Sequence, residues 1–368
     1  VAIVYPHLPH YRYGVFSELD QRLEEVLFVT GGDSRDGSIE TTPPRSFSHE
    51  ALVRNRWWGR FLWQQGLGKV LDDFDATAVV FLGDFAHLST WVQAARCRVR
   101  GRRVLFWTIG WHQPESGVRK QVRKIFYRLA HVLLLYGNHG RALGVRAGYP
   151  ANRMRVIYNS YQSRVVNSQT SASNDSLPSG DRPVIGAVVR LSSSKGLDQI
   201  IKAAADLKNK HSIDVDCLIV GEGDERAGLE DVAASLGVRL FLPGAMYSEG
   251  ELQDVYRRLT VTVIPRAAGL TVLQSLGAGT PVVTIANPFE QMPEFEAITD
   301  GVNGSLVEQA DGQHLATACA TWIERTQLDP ERVAQDCRAA VVWNWSSHRQ
   351  ASAIIRELVP GAQRPNQI

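Results

Sequence analysis

Apolar runs of strand length alternate with helix-length amphipathic stretches along most of the chain. In the first half, runs at 1–5, 26–30, 78–82, 104–108, 131–136 and 154–158 predict strands, with helices at 14–22, 87–100 and 118–129. The alternation stops at 166–183, where Ser, Asn, Asp, Gly and two prolines lack periodicity and read as a linker. It then restarts, with strands at 184–189, 215–220, 238–242, 261–264, 282–285 and 304–307. Helices are expected between them at 196–208, 225–236, 248–259 and 270–277, and a last one at 346–358, anchored by packing of Trp343 and Trp345. This order predicts an α/β protein with parallel sheets. Two Rossmann-like domains, 1–165 and 184–342, should face a central cleft, the usual place for a ligand in open α/β sheets.

Composition narrows the class. A chain of 368 residues suits two domains, and 44% hydrophobic with 21% charged residues marks a globular protein rather than a disordered one. No apolar run approaches the ~20 residues that span a bilayer. The chain opens on a strand-like segment without a basic leader, so a cytoplasmic location is expected, at most peripheral to the inner membrane face. Cys97, Cys217, Cys319 and Cys337 show no Cys-x-x-Cys pairing and read as buried free thiols. The net charge of +2 conceals an asymmetry: residues 1–165 hold 23 Lys and Arg against 13 acids, and the remainder 17 against 25. A basic half predicts an anionic partner or surface there.

Three segments of the second half carry candidate chemistry. Arg190-Leu-Ser-Ser-Ser-Lys195-Gly196 joins a buried strand to a helix, and two cations beside free helix N–H groups suit a phosphate or diphosphate. Pro265-Arg266-Ala-Ala-Gly269-Leu270-Thr271, continuing through Gln274 to Gly279-Thr-Pro-Val-Val283, repeats that strand–glycine–helix arrangement. Gln291-Met-Pro293-Glu294 precedes the turn Asp300-Gly-Val-Asn-Gly304; its carboxylate suits either sugar hydroxyls or a helix cap.

As an ordered set, Val189–Gly196, Val220-Gly-Glu-Gly223, Pro265–Val283, Pro293-Glu294 and Asp300–Gly304 resemble family 4 retaining glycosyltransferases of the GT-B fold. The likeness covers most of 184–310; elsewhere it is architectural, and implies that residues 343–368 return to the N-terminal domain. It implies that Arg190 and Lys195 neutralise the diphosphate of a nucleotide-sugar donor, a UDP-sugar before a GDP- or TDP-sugar. The backbone of Gly269, Leu270 and Thr271 would contact a phosphate or the sugar, with Glu294 and, in the first half, Gly14 also on the donor. Two acidic positions of the family pattern are replaced here, by Arg266 and Gln274. The glutamine keeps an oxygen that can accept from a ribose hydroxyl. The arginine inverts a charge, and pairs with an anionic group of the ligands or braces the fold. The resemblance further implies front-face transfer with retention, without a metal, a cofactor or a carboxylate nucleophile. An alternative is a non-catalytic nucleotide-sugar-binding protein, or a sugar-nucleotide epimerase.

In the first half, His10 and Arg12 follow the first strand, Asp84 the third and His112 the fourth. Positions at strand ends make His10, Arg12 and Asp84 candidate acceptor contacts. His112 is a candidate catalytic residue by the same likeness. Basic residues interleaved with aromatics at 54–63, and the basic runs 96–103 and 119–128, suit an anionic membrane surface bearing a lipid-linked or glycan acceptor; nucleic acid is not expected.

Overall fold

The apolar runs pair into two separate parallel sheets in a computed structural model that describes residues 1–32, 40–160 and 176–358. The chain divides into a first unit, Val1–Ser160 with Ser346–Ile368, and a second, Tyr161–Trp345. Most of the expected linker, 166–175, lies outside the described residues, as do the last ten residues of the tail.

The first unit carries β1 (Ala2–Val4), α1 (Tyr13–Arg22), β2 (Leu27–Thr30), β3 (His49–Leu52), β4 (Arg54–Trp58), β5 (Phe61–Gln65) and α2 (Leu67–Asp73). It continues with β6 (Ala78–Leu82), α3 (Leu88–Val99), β7 (Arg103–Thr108), α4 (Gly117–Arg128), β8 (Val132–Leu135), α5 (Asn138–Arg146) and β9 (Met154–Val156). Its main sheet runs β3-β2-β1-β6-β7-β8-β9, so the order reverses between β1 and β6. Central strands are buried on both faces, which is why they read as unbroken apolar runs.

The second unit carries β10 (Val184–Val188), α6 (Asp198–His211), β11 (Asp216–Val220), α7 (Arg226–Leu236), β12 (Leu240–Phe241) and α8 (Glu249–Arg258). Then follow β13 (Val261–Ile264), α9 (Leu270–Ala278), β14 (Val282–Ile285), β15 (Gly304–Val307), α10 (Gly312–Leu328) and α11 (Pro330–Asn344). The sheet order is β12-β11-β10-β13-β14-β15, with its reversal between β10 and β13. The last helix, α12 (Ser347–Leu358), buries Ala351, Ile354 and Leu358 in the first unit's core beside Val15 and Leu19. Arg22 of α1 donates to His348 O at 3.2 Å and to Ser352 Oγ at 2.9 Å.

Several expectations are corrected. Trp345 is buried as expected, but Trp343 is exposed and anchors nothing by packing. Residues 54–63 form the hairpin β4–β5 around Gly59-Arg60, with Arg54↔Gln65, Arg56↔Trp63 and Trp58↔Phe61 in register. Most of the basic run 96–103 is engaged within the unit. Arg96, Arg100 and Arg102 all pair with Asp72, and Arg103 pairs with Glu357 at 3.6 Å. In 119–128, Arg119 and Arg123 both turn to Glu115, at 2.9 and 2.7 Å. A sequence shows such cations as a charged face, whereas the tertiary fold supplies them with carboxylates. Among the described residues, no helix is long and apolar enough to cross a membrane.

Candidate active site

In the second unit the loops after β10 and β13 lie side by side, because those strands are neighbours and parallel. The β10 loop turns through Ser193–Lys195 to a left-handed Gly196, φ 64°, before α6. Lys195 is half-buried, and its Nζ donates to Ala267 O in the β13 loop at 2.9 Å. Burial lowers its pKa below that of an ordinary lysine. Arg190 is exposed, and among the described residues it pairs with no carboxylate.

The β13 loop is held from behind. Ala267 adopts φ 51°, unusual for a residue with a Cβ, and its N–H donates to Glu290 O at 2.7 Å. Gln291, 2% exposed, accepts from Ala268 N at 2.8 Å and donates to Thr284 Oγ1 and Ile285 O, each at 2.7 Å. Gly269 then precedes α9 with no side chain to cap it. The first N–H groups of α9, those of Leu270 and Thr271, have no acceptor one turn back within the helix. The Thr271 hydroxyl donates to Val188 O at 3.0 Å, so of its two donors only the backbone N–H remains. Gln274 accepts from Tyr256 Oη at 3.1 Å.

Arg266 is exposed and pairs with Glu290 at 3.3 Å. Its charge is thus taken up within the chain. Glu294 is buried inside the single 3-10 turn Pro293–Ala297, which Met292 and not Glu294 precedes, so Glu294 is not a cap. Nothing in the sequence around Gln291 marks it as the brace of another loop.

In the first unit a cavity of about 780 Å3 opens at the C-terminal ends of β1, β6, β7 and β8, over the sheet's reversal point. Arg12, Asp84 and His112 line it; His10 does not. The His10 ring turns outward, with Nδ1 3.1 Å from Glu40 O. Asp84 Oδ1 accepts from Ala86 N at 2.9 Å, while α3 is preceded by His87, so Asp84 caps a turn rather than the helix. Gly14 lies buried in the first turn of α1. Sequence reasoning missed Tyr136, Thr108 and Glu115 on the cavity wall. Tyr136 directly follows β8, a strand end like those that marked the other candidates, and so was findable.

Comparison with known proteins adds the class. A family model described as "Glycosyl transferases group 1" matches residues 168–338, most of the second unit. The chain is 32% identical over 182 residues to a D-inositol 3-phosphate glycosyltransferase of Streptosporangium roseum, covering 45% of this chain and 40% of that one. It is 30% identical over 205 residues to a GDP-mannose-dependent alpha-(1-6)-phosphatidylinositol monomannoside mannosyltransferase of Mycolicibacterium smegmatis, covering 51% and 50%. The chain thus spans two fifths to half the length of these curated relatives. The crystal structure of Anabaena Alr3699/HepE in complex with UDP superposes over 97% of this chain and 98% of its own, with a TM-score of 0.73 and 18% identity. The fold is therefore the two-domain α/β fold with parallel sheets seen in that protein.

Proposed function

We propose that the chain is a retaining glycosyltransferase that moves a sugar from a nucleotide-diphosphate sugar, in the first instance a UDP-sugar, to a glycan or lipid-linked acceptor. The observation that carries this reading is the pairing of Lys195 with the β13 loop, beside the exposed Arg190, which pairs with no carboxylate among the described residues, and the N-terminus of α9. Two cations and a helix start at adjacent strand ends form a cradle for a diphosphate. During transfer the bond from the sugar's anomeric carbon to the diphosphate breaks, and the diphosphate leaves with the electron pair. Charge therefore grows where Lys195 and Arg190 stand, and their attraction is stronger in the transition state than in the bound donor. The acceptor oxygen bonds to the anomeric carbon, and its proton passes to the leaving diphosphate. Since the cations neutralise the leaving group, no metal ion is needed in this reading.

The family model's match and the activities of the similar proteins support transfer over mere binding. A panel of UDP-, GDP- and TDP-sugars read by melting temperature tests the donor, because a ligand selective for the folded state stabilises it. One nucleotide should stand out, and EDTA should leave its effect and any turnover unchanged. A flat panel, or a product with inverted anomeric configuration by proton NMR, would overturn the proposal.

For the acceptor side we propose that the hairpin β4–β5 meets an anionic membrane surface. Arg54, Arg56, Trp58, Phe61 and Trp63 fall on one face of the hairpin by register, with Trp58 57% and Phe61 39% exposed. Large aromatics beside cations suit a headgroup region. W58A/F61A is expected to weaken co-sedimentation with phosphatidylserine vesicles at least about fivefold at low salt. Equal binding by the variant, or none by the native chain, rejects this surface.

A further inference from the structure

The first unit's cavity holds a charge that the diphosphate site does not explain. Arg12 is 5% exposed, and its guanidinium is ringed by Trp107 at 4.7 Å, Tyr136 at 5.0 Å, Tyr11 at 5.6 Å and Tyr5 at 5.7 Å. One terminal nitrogen donates to Tyr136 Oη. The other, Nη1, is buried without a hydrogen-bond partner, and among the described residues no carboxylate lies within ion-pair distance of Arg12.

The other charged side chains on the wall each have a polar partner within the unit. Arg119 and Arg123 share Glu115, and Asp84 is engaged by Ala86 N. Ring faces return part of the cost of burying a guanidinium, but they give Nη1 no acceptor, and no carboxylate among the described residues serves as its counter-ion. The same rings hold the planar fork in one orientation, so little side-chain freedom remains to be lost when a ligand arrives.

We propose that Arg12 receives an oxyanion, a phosphate or a carboxylate, borne by the acceptor. The oxyanion site follows from the first unit alone; only its assignment to an acceptor rests on the transferase reading. Position agrees with a ligand role, since Arg12 lines the cavity at the reversal point of the sheet.

Inorganic phosphate, titrated into the full chain at constant ionic strength and read by melting temperature, tests the site. K195A serves as the background because it weakens the second unit's own grip on phosphate. The K195A chain is expected to keep a phosphate-dependent stabilisation, and R12M/K195A to weaken it roughly tenfold or more. R12M itself should melt no lower than the native chain, because the charge it removes is buried and unpaired. R12K, which keeps the charge but loses the fork, should bind phosphate at an intermediate level.

A phosphate response that persists in R12M/K195A, or that is missing from K195A, overturns the site; the second arm needs no Arg12 variant to fold. UDP affinity distinguishes the sources. R12M should leave it unchanged, and a tenfold loss would put the oxyanion on the donor and overturn the acceptor assignment. Failure of the donor panel with an Arg12-dependent phosphate response would instead reject the transferase reading and leave the oxyanion site standing.

Discussion

Replacing Lys195 by alanine is expected to weaken UDP binding roughly 30- to 100-fold, or about 2–3 kcal/mol, the usual scale for a charge-assisted hydrogen bond in a partly buried setting. The ammonium is half-buried, so its attraction to a diphosphate is screened less than a surface charge. Its tie to Ala267 O is lost too, but that neutral acceptor contributes only about 1 kcal/mol. Arg190→Ala should cost less, roughly tenfold, and its effect should shrink as salt rises because the side chain is exposed. Burial also gives the binding a pH signature. Lys195 releases its proton at lower pH than an ordinary lysine, so diphosphate affinity should decline on the alkaline side sooner than ordinary lysine chemistry predicts. Calorimetric titration of UDP into native, K195A and R190A chains measures all of this. Native-like affinity in K195A would remove the diphosphate cradle from the second unit.

Much of the fold was legible because buried parallel strands are continuous apolar runs bounded by turn residues. The runs 78–82, 261–264, 282–285 and 304–307 match Ala78–Leu82, Val261–Ile264, Val282–Ile285 and Gly304–Val307 residue for residue. Strand β3, His49-Glu-Ala-Leu52, was not legible: it is an edge strand, buried on neither face, and so carries no apolar run. The helices α10 and α11 went unassigned because polar residues and short apolar ones interrupt the stretch, although Trp322 and Cys337 are buried. Side-chain destinations were the hardest to read. Tyr136 reaches Arg12 across 124 positions, and Glu115 turns Arg123 away from the face its helical spacing suggested. Only the fold brings such partners together.

Two glycines of the second unit, Gly221 of the Val220-Gly-Glu-Gly223 loop and Gly228, lead to predictions of opposite sign. This loop follows β11 and closes directly on the strand end that carries Arg190: Val189 N donates to Val220 O and Leu191 N to Glu222 O, both at 2.9 Å. A Cβ on Gly221 would stand 2.0 Å from Val189 O, a backbone atom, at a φ of 152° that side-chain residues seldom adopt. Relief requires the two loops to part, which breaks those bonds and moves Arg190. G221A is therefore expected to destabilise the second unit by about 3 kcal/mol, lowering its melting temperature by roughly 6–12 °C, and to weaken UDP binding with it. Gly228, in the first turns of α7, has open space where its Cβ would lie and an ordinary φ. G228A should stabilise by about 0.5–1 kcal/mol, because alanine has fewer unfolded conformations to lose. Melting curves of the two variants decide the matter. If G221A melts within a degree or two of the native chain, the two loops do not pack as closely as described.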